Sequence, residues 1–175
     1  MKKNEMLPIY EAAASQCTHF YTAHTRFKTF QKDDRELQIY KMLTEQALHK
    51  MHNALVRRVH GYDYKKRPVE TEIIMLTSAE ISGSAEGPRQ TVHAHMLLGR
   101  LSGKNFISTE LKEIKTVLDD AWHRTDVYGK ATHLEETYKS QELGAFMYSD
   151  KGRTKRWYGG GVNFDHCWLP SNILS

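Results

Sequence analysis

The stretch Thr91-Val92-His93-Ala94-His95-Met96-Leu97-Leu98-Gly99 sets the frame for the rest of the chain. Its β-branched and aliphatic residues, closed by a glycine, read as a strand. Side chains two apart on a strand share a face. His93 and His95 therefore project together, and Val92, Ala94 and Met96 point to the opposite, core side. Upstream, 82–88 holds two glycines and a proline and reads as a hairpin loop. Before it, the apolar run Ile73-Ile74-Met75-Leu76 places a buried strand over 72–79. The two strands then lie antiparallel.

Further out, 17–25 is rich in β-branched and aromatic residues and predicts a first strand. Asp33 and Asp34 offer N-cap chemistry for a long helix. In it Leu37, Tyr40, Leu43, Ala47, Met51, Leu55 and Val59 recur at helical spacing, and Gly61 supplies a stop. The basic connection 62–68 ends in a proline that bars continuation. Ser108 or Thr109 can cap a second helix, with Leu111, Ile114, Leu118, Ala121 and Trp122 on one face. A weaker strand is expected over 131–137 and a third helix over 140–151. The order β-α-β-β-α-β-α predicts an α+β fold, a central antiparallel sheet with helices packed on it.

At 175 residues the chain suits one domain over 1–175, with its core at about 17–165. No apolar run approaches the ~20 residues of a membrane span, and the N-terminus lacks the pattern of a secretory signal. Cys17 and Cys167 stand far apart, which argues for a reducing compartment and against a disulfide framework. The expected location is the cytoplasm. The net charge of +4 is modest, but it is clustered. Arg57, Arg58, Lys65, Lys66 and Arg67 form one group. Arg153, Lys155 and Arg156 form another with Lys151, flanked by Tyr148, Trp157 and Tyr158. Cations interleaved with aromatics suit phosphates and unstacked bases.

Two imidazoles on one strand face can hold a divalent metal while leaving positions open for water or phosphate oxygen. A third, oxygen ligand is expected from Glu80 at the end of the preceding strand, with Glu86 in the loop as the fallback. That donor set suits Mg²⁺ or Mn²⁺ without excluding Zn²⁺. Separately, Tyr148-Ser149-Asp150-Lys151 puts a phenol and an ammonium three apart on one helix face. Both can then address one phosphate. Tyr138 is a weaker rival nucleophile, because Gln141 stands where its lysine should be.

In this order, Phe20-Tyr21-Thr22, His93-Ala94-His95 and Tyr148-x-x-Lys151 resemble the HUH endonucleases, specifically the single-tyrosine initiators of rolling-circle replication. The stretch Glu142–Lys151 is similar to the nucleophile helix of that family, and Arg156-Trp157-Tyr158-Gly159 to the segment that follows it. Ala94 departs from the bulky residue usual between the histidines. The resemblance implies an RRM-like HUH nuclease fold and single-stranded origin DNA as substrate. It also implies a metal held by His93, His95 and Glu80. Tyr148 would attack to give a 5′-phosphotyrosine and a free 3′-OH, with Lys151 orienting the phosphate. The basic groups, with Trp157, would hold the strand, and a host helicase and polymerase would be further partners. The lack of a helicase domain leans towards a bacterial, plasmid or phage-type protein, or an excised domain. Two alternatives share the chemistry: a relaxase, with Tyr10 or Tyr21 as nucleophile, and a single-strand transposase. A third is a non-catalytic single-strand-binding module, which would need aromatics on adjacent strands.

Overall fold

The computed structural model describes residues 3–29, 34–66, 72–82, 90–137 and 167–169. Four strands, β1 (His19–Thr29), β2 (Ile74–Ser82), β3 (Gln90–Gly99) and β4 (Tyr128–Glu136), form one sheet in the order β2-β3-β1-β4. All three pairings are antiparallel. Helix α1 (Lys3–Ala14) precedes β1, α2 (Asp34–His60) joins β1 to β2, and α3 (Leu111–His123) joins β3 to β4. Each of the latter two helices carries the chain past one intervening strand. The result is two interleaved β-α-β units of the ferredoxin-like kind, an α+β fold as the sequence predicts.

Strand alternation divides the side chains into two sets. Tyr21, Ala23, Ala94, Met96 and Leu98 face α2 and α3, where they meet Leu48, Met51, Leu55, Leu118 and Trp122 in the main core. Full burial of one such side chain stabilises the fold by roughly 1.5–3 kcal/mol. The core-facing assignment of Val92, Ala94 and Met96 agrees, since all three are buried. Tyr21 places a hydroxyl inside this core and donates it to Asp119 Oδ1 at 2.8 Å. The same carboxylate accepts from Thr132 Oγ1 at 2.8 Å and from Lys115 Nζ at 2.6 Å. Burial first, and the Asp119 carboxylate second, push the Tyr21 hydroxyl far above its ordinary pKa.

The opposite face carries a second, smaller cluster. Tyr10, Ala13, Ala14 and Cys17 pack onto Phe20, Ile74, Leu76 and Leu97. The sequence reading assigns no element to 3–14, yet Tyr10, Ala13, Ala14 and Cys17 stand at i, i+3, i+4 and i+7. Two of those four are alanines, so the apolar stripe is thin, and Pro8 within the helix argues locally against helix. Helix α1 covers one end of this face and leaves the other end without a helix among the described residues.

Boundaries shift in ways local chemistry explains. Helix α2 ends where expected: Gly61 takes φ +83° and its N–H donates to Arg57 O at 2.9 Å, a left-handed C-cap. The connection after it winds into a 3-10 turn, Tyr62–Lys66. Neither Ser108 nor Thr109 caps α3. Glu110 is the N-cap and has no side-chain cap bond, while Ser108 Oγ accepts from Glu110 N at 3.1 Å. Leu111 is exposed and does not join the buried face of α3. The helix expected over 140–151 lies outside the described residues, as does the loop expected over 82–88 apart from Ser82, which instead ends β2. Beyond them, Trp168 makes a one-residue antiparallel bridge to Met75 through bonds of 3.1 and 2.9 Å, shielding part of the β2 edge. No described helix is long and apolar enough to cross a membrane.

Candidate metal centre on the open half of the sheet

The end of the sheet that α1 leaves uncovered is where the histidines gather. Register pairs His93 of β3 with Glu80 of β2 on one side and with His24 of β1 on the other. One row along, His95 pairs with Ser78 and with Thr22. Parity puts His93 and His95 on the face opposite Ala94 and Met96, as the His-x-His spacing predicts. Glu80 is brought into line with His93 by backbone pairing alone; its side chain lies outside the described set. Glu86 lies outside it as well.

The two imidazoles are held by hydroxyls. Thr22 Oγ1 lies 3.0 Å from His95 Nδ1, and Thr91 Oγ1 lies 2.8 Å from His93 Nε2. Partners of this kind fix the ring orientation of metal-binding histidines through the nitrogen that does not bind the ion. His95 is 5% exposed and stacks on Phe20, with 5.7 Å between centroids and 6° between planes. Phe20 belongs to the α1 cluster. Helix α1 therefore supports the site by packing behind His95.

The rings of His93 and His95 are 6.3 Å apart. With metal–nitrogen bonds of about 2.1 Å, two imidazole centroids sharing one ion lie at most about 6.4 Å apart. That limit belongs to a linear arrangement; at a tetrahedral angle the centroids stand about 5.2 Å apart, so binding one ion between them would draw the two rings together by about 1 Å. Among the described residues no three His, Cys, Asp or Glu side chains form a complete metal-holding group, so the histidine pair needs a further ligand.

His24 is the member of the cluster that sequence reasoning missed. Its ring lies 4.0 Å from that of His93 at an interplanar angle of 32°, a tilted contact tighter than two ligands of one ion make. The local backbone explains its placement. Register shifts on both sides of β1 mark a bulge beginning at about His24, and bulges re-aim side chains. Trp122 Nε1 of α3 donates to His24 O at 3.2 Å. Gly129 of β4 approaches so closely that a Cβ there would stand 2.6 Å from the same oxygen. The signal in the sequence was Thr22 and His24 at the same parity as Phe20, but only the β1–β3 register ties them to His93.

The other expected site residues are not gathered here. Arg57 and Arg58 stand on the last turn of α2, in the helical layer on the other side of the sheet. Lys65 and Lys66 lie exposed on the 3-10 turn that follows, Lys66 paired with Asp63 at 3.6 Å. Tyr148, Lys151, Arg67, Arg153, Lys155, Arg156, Trp157 and the rival Tyr138 lie outside the described residues. The described residues on either side of the Tyr148 segment are tethered at opposite edges of the sheet. Thr137 N donates to Thr18 O at 2.9 Å next to β4, and Thr77 N of β2 donates to Cys167 Sγ at 3.3 Å.

Other described histidines lie away from this cluster. His52 stacks on Trp168 (4.3 Å, 11°) and His49 meets the same indole edge-on, so both pack against the tail. His123 packs on Tyr128, and His133 lies 3.7 Å from Glu135. Comparison with family models, curated proteins and solved structures returned no match.

Proposed function

We propose that this protein is an endonuclease that nicks and rejoins single-stranded DNA at a replication origin. Tyr148 is its nucleophile, and His93, His95 and Glu80 are the ligands of a divalent ion, Mg²⁺ or Mn²⁺. The observation that carries this reading is the register that sets Glu80 opposite His93, on the face shared with His95 and left open by α1. When bound, such an ion supplies Lewis-acid neutralisation of the charge on the scissile phosphate.

The chain's own residues do the rest. The Tyr148 hydroxyl loses its proton and its oxygen bonds to phosphorus, while the 3′ oxygen leaves and takes up a proton. The phosphodiester energy is kept in the tyrosine link, so rejoining by a 3′-OH needs no nucleotide. Lys151, three residues on in the expected helix, steadies the phosphate and favours the phenolate. Thr22 and Thr91 orient the imidazoles. Arg67, Arg153, Lys155, Arg156 and Trp157 hold the strand, as do Lys65 and Lys66.

The relaxase arrangement loses support from the position of its two tyrosines. Tyr21 is wholly buried against Asp119 on the face away from the histidines. Tyr10 is 1% exposed on the sheet-facing side of α1. A binding module of the RRM kind would show stacked-base aromatics on β1 and β3. Among the described residues that face offers Phe20, which α1 and His95 already occupy.

The test is covalent capture. Wild type, Tyr148→Phe and His93→Ala/His95→Ala are incubated with a labelled single-stranded DNA library and Mn²⁺, with and without EDTA. A protein–DNA adduct that needs the metal and disappears in both variants is expected. An adduct that survives Tyr148→Phe assigns the nucleophile elsewhere, with Tyr138 next in line. Strand binding with no adduct from any library points to the non-catalytic module.

A further inference from the structure

On the far side of the sheet from the histidines, α2 and α3 leave a groove of about 670 Å³ between them. Lys50, Asn53, Ala54 and Arg57 line one wall, and Val117, Asp120, Ala121 and Arg124 line the other. Both sets follow i, i+3, i+4, i+7, so each helix presents one stripe to the groove along about 10 Å of its axis. Arg58, Gly61, Tyr62 and Asn105 close one end.

The groove is built from polar and cationic groups where a helix seam would ordinarily be sealed with apolar ones. Asp126 pairs with Lys50, outside the groove lining. Among the described residues Arg57, Arg58 and Arg124 form no ion pair, and Asp120 is the one carboxylate in the lining. Three guanidiniums facing one carboxylate leave a net positive groove that calls for an anion with several acceptor oxygens, since guanidinium forks match phosphate. Tyr62 is 88% exposed at the end of it. A tyrosine ring so displayed is a stacking platform, and the Asn53 and Asn105 amides offer both donors and acceptors for base edges. A volume of this size takes a small polar ligand or one unit of a polymer.

We propose that the α2–α3 groove is a second single-strand nucleic-acid site, in which Arg57, Arg58 and Arg124 hold phosphates and Tyr62 stacks on a base. It goes beyond the nicking reading and does not rest on it, because the groove lies on the opposite face of the sheet from His93 and His95 and binding is read without cleavage. A protein with strand sites on both faces holds two segments of one molecule, or the two sides of an opened duplex.

The experiment is equilibrium binding of the 175-residue chain to fluorescent oligothymidine, by anisotropy, in EDTA and over a salt series. Arg57, Tyr62, Lys112 and Arg124 are exposed, so their substitution leaves the core intact; His95 is buried, so the His93→Ala/His95→Ala protein is first checked for wild-type circular dichroism and urea midpoint. Arg57→Ala/Arg124→Ala is expected to weaken binding at least tenfold and to lower the salt slope by about one to two. Tyr62→Ala is expected to weaken it at least fivefold while leaving the salt slope unchanged. His93→Ala/His95→Ala leaves both losses in place, which separates this site from the histidine face. Lys112→Ala, an exposed cation on α3 outside the groove, controls for general charge and should bind within twofold of wild type. Wild-type affinity in the double arginine variant overturns the proposal, as does an equal loss in Lys112→Ala. Loss from the arginines with none from Tyr62→Ala overturns the single-strand assignment.

Discussion

His52 couples the anchoring of the tail to pH, and the size of the effect can be worked out. Its ring lies flat on Trp168, and its Nε2 is 3.3 Å from the Ile73 carbonyl, to which it donates. Burial is the chief cause that lowers its pKa from 6.5 to about 4; nearby His49 lowers it further, and the Ile73 bond works against both. The folded state therefore disfavours the proton. The stability this gives is present above the unfolded pKa and is lost as pH falls from 6.5 towards 4. With those values the loss between about pH 7.5 and about pH 5 is roughly 2 kcal/mol, rising to about 3 kcal/mol near pH 4. A cation resting on an indole regains up to about 1 kcal/mol, so about 1–2 kcal/mol is expected at pH 5. His52→Phe keeps the stack and cannot titrate. Urea unfolding of both proteins at the two pH values isolates the term, because every other titrating group is common to them. Wild type should lose about 1–2 kcal/mol more than His52→Phe. Parallel losses would refute the reasoning and mean that the imidazole keeps its ordinary pKa in the fold.

Other consequences concern the site and its supports. Gly129→Ala forces a Cβ against the His24 and Thr25 backbone at 2.6–2.7 Å; with no flexible side chain to yield, it should cost about 1–3 kcal/mol in urea unfolding and shift the His24 ring resonances. Tyr21→Phe removes one of three donors to Asp119 and should cost about 1–2 kcal/mol, with the adduct yield unchanged because the hydroxyl faces away from the histidines. Met96→Ala opens the core between the sheet and its helices and should cost about 2–5 kcal/mol by the same assay. His95→Ala should lower Mn²⁺ affinity at least tenfold, read by calorimetry on protein without DNA; unchanged affinity would remove His95 from the ligand set.

Much of the fold was legible because local pattern and tertiary demand agree. The α2 stripe from Ala47 to Val59 and the alternation across Val92–Met96 are periodic over enough residues to fix their type, and both bury as read. Helix α1 was missed because its stripe is built from alanines and depends on Phe20, Ile74, Leu76 and Leu97 from three strands distant in sequence. The α3 cap was misplaced by one or two residues because Ser108 bonds to Glu110 in the turn ahead of the helix. At the site, His93 and His95 could be placed on one face from spacing alone, and Glu80 named from the hairpin. His24 could not, since its partner is set by the β1–β3 register and by a bulge that Trp122 and Gly129 hold from other elements.

The sequence by itself determined which residues alternate and which recur every third or fourth position, because strand and helix geometry are properties of the local backbone. From that came the α+β class, the parity of the histidines and the clustering of charge. Only the tertiary structure decided which strands are neighbours, and hence that the His24 ring packs against His93 and Glu80 stands opposite it. It also decided that α1 closes one half of the histidine face and that Arg57 and Arg58 belong to a groove on the other side of the sheet. Those are relations between segments far apart in the chain. They follow from how several apolar faces are buried at once, which no single stretch of sequence carries.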